Sequence, residues 1–227
     1  MPVATNPSFF PTRLSQYVPA MRYASDVNMH GGISRISFGA ALLADADGIL
    51  DGQTIAVATT IEAASLLSYQ ADTPWGRNIT AVADSTATST VTINGYDYLG
   101  QPMTEVITLN SGTPVVGVKC FKRIRNIVLG ATASRTVDIG WGSVLGLPYK
   151  AIKVLTEESD GAPATLGTLT APVLTSPATS TTGEPRGKYT PNTTPDGAKI
   201  ITATFVFDNT VNSSNVGGLH GVPHYSA

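Results

Sequence analysis

The sequence predicts an all-β protein: an antiparallel β-sandwich or barrel-like domain with extended N- and C-terminal arms and a long Pro/Thr-rich segment. Three observations lead there. Apolar residues come in short runs that alternate with hydroxyl side chains, and Gly, Pro or Asn breaks the chain about every ten residues. Threonine supplies 30 of the 227 residues, and its β-branched side chain suits a pleated, half-buried surface.

Composition sets the limits. The chain is 42% hydrophobic, enough to bury a core. Its 22 Gly and 15 Pro set many turns without reaching the roughly 25–30% of a low-complexity chain. Only 13% of residues are charged, against about 25% in a typical domain. Thr and Ser must therefore carry much of the solvation. A net charge of −2 gives no basic field, so direct binding to a phosphate backbone is not expected. The N-terminus lacks a basic region followed by an apolar run, and no stretch approaches the ~20 apolar residues of a membrane span. Folding in the cytoplasm, without a membrane partner, is the expectation. Cys120 stands alone, which excludes an intrachain disulfide or a thiolate metal cluster.

Residues 1–31 mix prolines with Phe9, Phe10, Tyr17, Met21 and Tyr23 and show no period, so they read as an extended arm that buries aromatics against a surface. Residues 32–155 read as the β-rich core domain. Within it, Gly32–Val57 breaks into short strands, while Thr59–Tyr69 leaves helix and strand equally open. The clearest signal lies at 90–109. Thr90-Val91-Thr92-Ile93-Asn94 places Val91 and Ile93 on one face, and the run ending at Leu109 places Glu105, Ile107 and Leu109 on one face. Between them Asp97, Gly100 and Pro102 mark a hairpin loop of about four to six residues: Asp bonds back to the chain, Gly takes a positive φ, Pro sets the exit. Val115–Leu129 and Thr136–Val144 supply further strands. Residues 156–198 carry Pro163, Pro172, Pro177, Pro185, Pro191 and Pro195. They read as an extension or linker that resists helix and central strand. Residues 199–216 return to the core as a strand with Ile201, Ala203, Phe205 and Phe207 on one face, and 217–227 form the C-terminal arm, with Leu219, Val222 and Tyr225.

No catalytic constellation emerges. Nucleophilic catalysis needs a base beside its nucleophile, and the histidines are His30, His220 and His224, without a G-x-S-x-G elbow. Cys120 in its apolar run reads as a small buried filler. His220 and His224 have helical metal spacing, but Gly221 and Pro223 break the helix. Asp45-Ala46-Asp47-Gly48-Ile49-Leu50-Asp51 departs from a calcium loop: its Gly comes early and Ala56 stands where a bidentate Glu is needed. A polar turn between strands is favoured. The Asn-x-Ser/Thr triplets at Asn78, Asn192 and Asn212 arise readily in so Thr-rich a chain. Lys119, Lys122, Arg123 and Arg125 form a basic cluster read as a solvated strand face. Tyr69, Trp75, Tyr96, Tyr98 and Trp141 either line a sugar-binding face or, more simply, pack. The chain is read as a non-enzyme, with no catalytic residue, cofactor or metal.

Four stretches add a resemblance: Pro74-Trp75-Gly76-Arg77-Asn78-Ile79, Gly95-Tyr96-Asp97-Tyr98-Leu99-Gly100-Gln101-Pro102-Met103-Thr104-Glu105, Leu145-Gly146-Leu147-Pro148-Tyr149 and Arg186-Gly187-Lys188-Tyr189-Thr190-Pro191-Asn192. They resemble segments of virion structural proteins of tailed bacteriophages, of the capsid decoration or cement type. The resemblance implies a protein that binds the exterior of the assembled major capsid protein shell as a homo-oligomer and stabilises it by bridging subunits. Phe9, Phe10, Tyr17, Tyr23, Leu219, Val222 and Tyr225 are the candidate partner-binding residues, since Pro-rich aromatic arms can cover large surfaces. A tail or head-to-tail component and a carbohydrate-binding β-sandwich are the alternatives.

Overall fold

A computed structural model describes residues 31–84, 89–132, 134–173 and 183–208. The two arms lie outside these residues, as do the seven candidate partner-binding side chains and all three histidines.

The described chain is all-β. In order the strands are β1 (Gly31–Gly39), β2 (Asp45–Ile55), β3 (Thr59–Glu62), β4 (Arg77–Ala83), β5 (Thr90–Tyr96), β6 (Pro102–Thr108) and β7 (Val115–Phe121). There follow β8 (Arg123–Leu129), β9 (Arg135–Gly146), β10 (Ala151–Ser159), β11 (Ala162–Ala164), β12 (Thr168–Thr170), β13 (Lys188–Thr190) and β14 (Ile201–Asp208). The stretch left open between helix and strand becomes β3 followed by one 3-10 turn, Ala63–Ser65. Every named pairing is antiparallel, in three sheets ordered β1-β14-β10-β11, β12-β13-β9-β4-β7 with β2 also on β9, and β3-β8-β5-β6. Such a set of antiparallel sheets is consistent with a sandwich or barrel-like domain.

The strand faces follow the sequence period. Val91 and Ile93 are buried on β5; Met103, Glu105 and Ile107 are buried on β6, with Val91 opposite Ile107 and Ile93 opposite Glu105. The hairpin loop runs from Asp97 to Gln101. Asp97 Oδ1 accepts the N–H groups of Leu99 and Gln101, both at 2.8 Å, and Gly100 takes φ +83°. Val115–Leu129 is not one strand. Lys122 breaks it, so that β7 joins the second sheet and β8 the third. Its ammonium donates to the carbonyls of Ala71 and Thr73, each at 2.7 Å, which pins the corner.

Two cores result. Ile79, Val91, Ile93, Phe121, Ile127 and Ile139 fill the space between the second and third sheets. Phe38, Tyr189, Phe205 and Phe207 fill the second core with Leu145 and Leu147, and the Tyr189 and Phe205 rings meet edge to face at 5.1 Å. All four apolar positions expected on one face of β14 are fully buried, each large side chain contributing about 1.5–3 kcal/mol. β9 belongs to both cores, through Ile139 and Trp141 in one and Leu145 in the other.

The Pro/Thr-rich stretch departs at one strand from the expectation that it resists helix and central strand. It holds β11, β12 and β13, and β13 lies between β12 and β9. Three-residue strands fit between the prolines: Pro172 follows β12, Pro185 and Pro191 flank β13, and Pro163 sits on edge strand β11, where a missing N–H is tolerated. One buried carboxylate gathers much of this segment. Glu157 accepts N–H groups from Gly167 (3.1 Å), Asn192 (3.0 Å) and Thr193 (2.8 Å), together with the Tyr189 hydroxyl. Burial alone would raise its pKa, but the Tyr189 and main-chain donors outweigh burial and lower it.

Candidate functional site

Partner contact was expected of the arms, so their points of attachment matter most. β1 begins at Gly31 and β14 ends at Asp208, and these two residues are paired across neighbouring strands. Residues 1–30 and 209–227 therefore join the domain side by side, at one end of one sheet. Beside that point Ile33 is 66% exposed. It pairs with Val206, which pairs in turn with Lys153 on β10, and Ile152, 54% exposed, adds an apolar side chain nearby.

The four stretches quoted above meet in one packed cluster. The Trp75 and Tyr98 rings lie edge to face at 5.1 Å, and the Tyr98 hydroxyl donates to the Pro148 carbonyl. Gly146 N–H bonds Gly76 C=O at 2.9 Å. The Arg186 guanidinium lies 5.3 Å from the Tyr98 ring centre and pairs with Asp97 Oδ2 at 3.0 Å. Both partners of this ion pair are almost wholly buried. Burial also pushes the Tyr98 phenol up to about 12. The cluster ties the hairpin loop to β4, β9 and the segment before β13.

Beside it, Glu105 on β6 accepts the Val118 and Lys119 N–H groups of β7. Lys119 returns a bond from Nζ to the Thr104 carbonyl at 2.9 Å. Glu184 Oε2 accepts Cys120 N–H at 3.0 Å, and Lys188 Nζ donates to the Val118 carbonyl at 2.9 Å. Burial pushes the Glu105 carboxyl up to about 7, against the pull of these donors and of Lys119 and Lys188. It lowers the ammonium pKa of Lys119 and raises the thiol pKa of Cys120 well above its ordinary value. Cys120 is thus the buried filler expected of it.

The remaining sequence candidates separate. Of the basic cluster, Lys119 is buried, Lys122 pins the corner, Arg123 lies over the Tyr96 ring at 4.8 Å, and Arg125 is exposed. They do not form one patch. Of the aromatics, Trp75 and Tyr98 pack together, Trp141 is buried with its indole N–H on Ser68 Oγ at 3.2 Å, and Tyr69 is 45% exposed. Asp45 to Asp51 lies not in a turn between strands but inside β2, where the register against β9 shifts between Asp45 and Leu50. Asp47 is raised by its hydrogen bond with Asp45 and by the charges of Asp45 and Asp51. Among the described residues no group of three metal-ligating side chains converges. An open cleft of about 500 Å³ is lined by residues including Leu42, Leu43, Ser68, Asp72, Arg77 and Trp141. Its one buried cation, Arg77, is engaged by Asp72 at 3.0 Å and by the Gly142 carbonyl.

What sequence reading missed is the burial of ionic side chains such as Arg77, Lys119, Glu157, Glu184 and Arg186. Glu105 did carry a signal, its place on the apolar face of β6. No helix among the described residues is long and apolar enough to cross a membrane. Compared with known families, curated proteins and solved structures, the chain matches none.

Proposed function

We propose that the chain is a structural protein of the tailed-phage virion, a cement or decoration protein that binds the exterior of the major capsid protein shell and bridges its subunits. One observation carries the reading: Gly31 and Asp208 are paired, so both terminal segments depart from one end of the domain. Thirty residues precede β1, and a fully extended chain of that length spans at most roughly 100 Å, so such a segment can reach surface beyond the domain itself. Segments of this kind order on assembly and cover large areas. Low charge and a buried ionic framework fit a protein whose work is cohesion.

The test is imaging of the particle that contains the chain by cryo-electron microscopy. The proposal expects the β domain on the outer shell, with density for residues 1–30 or 209–227 running onto neighbouring subunits. A position on the tail or neck would overturn it in favour of a head-to-tail component. A separate glycan array addresses the carbohydrate reading.

A further inference from the structure

Sheet edges expose main-chain donors and acceptors that invite another strand. Several edges of this domain are closed. β6 and β7 close on each other through Glu105 and Lys119, and β11 is three residues long and carries Pro163.

β1 is different. The Ile200 carbonyl accepts the Asp160 N–H at 3.0 Å on the β10 side. Groups alternate along an antiparallel strand, so Thr202, Thr204 and Val206 also face β10, while Ala203, Phe205 and Phe207 bond β1. Their partners there are Ile36, Ser34 and Gly32. Gly31, Ile33, Arg35 and Ser37 must then turn their N–H and C=O groups to the free edge. The Ser37 carbonyl does so, since it accepts the Trp75 indole N–H at 3.2 Å. Among the described residues no partner meets the edge groups of Ile33 and Arg35.

We propose that residues 20–28 of a second copy of this chain fill that edge as an added strand, exchanged reciprocally across a twofold axis with Met29-His30 as the hinge. Residues 20–28, Ala20 to Asn28, form a proline-free run after Pro19 that equals β1 in length, nine residues. Their own chain delivers them to the foot of this edge, where β1 begins. A tight return onto the same β1 would place Met29 and His30 in a two-residue reversal that needs left-handed backbone, which Gly and Asn supply and Met and His resist. Gly31 and Gly32 cannot take that place because they pair with Asp208 and Phe207. A straight hinge avoids the reversal, and exchange of an identical element is a low-cost route to a dimer. The 209–227 segment is a poorer occupant: β14 ends at the foot of the edge, so an antiparallel strand would first have to climb to the far end. The inference rests on the sheet edge and is independent of any virion partner.

Light scattering and residue-resolved amide exchange on the full chain test it, with Tyr23→Pro and, as a second variant, Ser25→Pro, each of which removes a ladder donor from the arm alone. The expected result is a dimer whose Ile33 and Arg35 amides exchange at least about tenfold more slowly than in monomeric Tyr23→Pro. The Ala203 and Phe205 amides in mid-β14 report that the variant stays folded. A monomer with protected Ile33 and Arg35 would mean that the chain's own arm fills the edge, and would overturn the exchange. Fast exchange at both residues in the unaltered chain would overturn the added strand.

Discussion

Glu105 and Lys119 reach across two edge strands in opposite directions: the carboxylate accepts the Val118 and Lys119 N–H groups of β7, while the ammonium donates to the Thr104 carbonyl of β6. Side chains thus join the second and third sheets where no ladder does. Because burial holds the Glu105 carboxyl at about 7 against an ordinary 4.5, the native state keeps a proton that the unfolded chain releases between those values. The stability this contributes is fully present below pH 4.5 and is lost as pH rises through 7. The loss amounts to about 3 kcal/mol at most. Urea midpoints should therefore fall from acid to neutral pH in the native chain, and Glu105→Gln should flatten that part of the profile.

The Asp97–Arg186 pair is buried at both ends. Such a pair adds little net stability over apolar packing, but removing one member is costly. Asp97→Ala also strips the acceptor from the Leu99 and Gln101 N–H groups. It should destabilise the domain by about 3–5 kcal/mol, measured by denaturant unfolding.

Glu157 holds Gly167, Tyr189, Asn192 and Thr193 together. Glu157→Ala leaves these donors without their acceptor, at about 1–3 kcal/mol for each that stays dry. Limited proteolysis should then cut the segment between β10 and β14 well before the rest of the domain. Because its pKa is lowered, the stability Glu157 provides is present above the ordinary carboxyl range and lost as pH falls through the folded value.

At Gly140 a side chain would collide with the Asp45 carbonyl, since β2 crosses β9 there in close contact. Gly140→Ala should cost at least about 2 kcal/mol, from overpacking. Gly100→Ala is the control, because at φ +83° it faces open space and should cost only the smaller backbone strain of about 1 kcal/mol. Thermal unfolding of the two variants separates these effects.

The legible parts of the fold were those governed by local period. Val91 and Ile93, Ile107, and the Phe205 and Phe207 face of β14 were readable because a strand alternates regardless of its partners. The Asp97–Gly100–Pro102 loop was readable because turn chemistry is local. The break at Lys122 was not, since apolar residues continue on both sides and only the distant carbonyls of Ala71 and Thr73 fix the corner. Strands β12 and β13 escaped for a similar reason. Prolines argue against a central strand, and the Glu157 carboxylate that gathers Gly167, Asn192 and Thr193 sits about ten or more residues away along the chain, on β10. At the candidate site, the aromatic arms were visible in sequence, but their common point of departure depends on β1 pairing with β14, about 170 residues apart.

Under the proposed function, partner contact runs through the end of the domain at Gly31 and Asp208. Hydrogen exchange of the full chain, alone and bound to assembled shells of major capsid protein, tests it most directly. Binding should slow exchange within 1–30 and 209–227 and at the adjoining ends of β1 and β14, with β6, β7 and β12 unchanged. Slowing confined to the opposite end of the sheets, or no change in either terminal segment on bound shells, would contradict it.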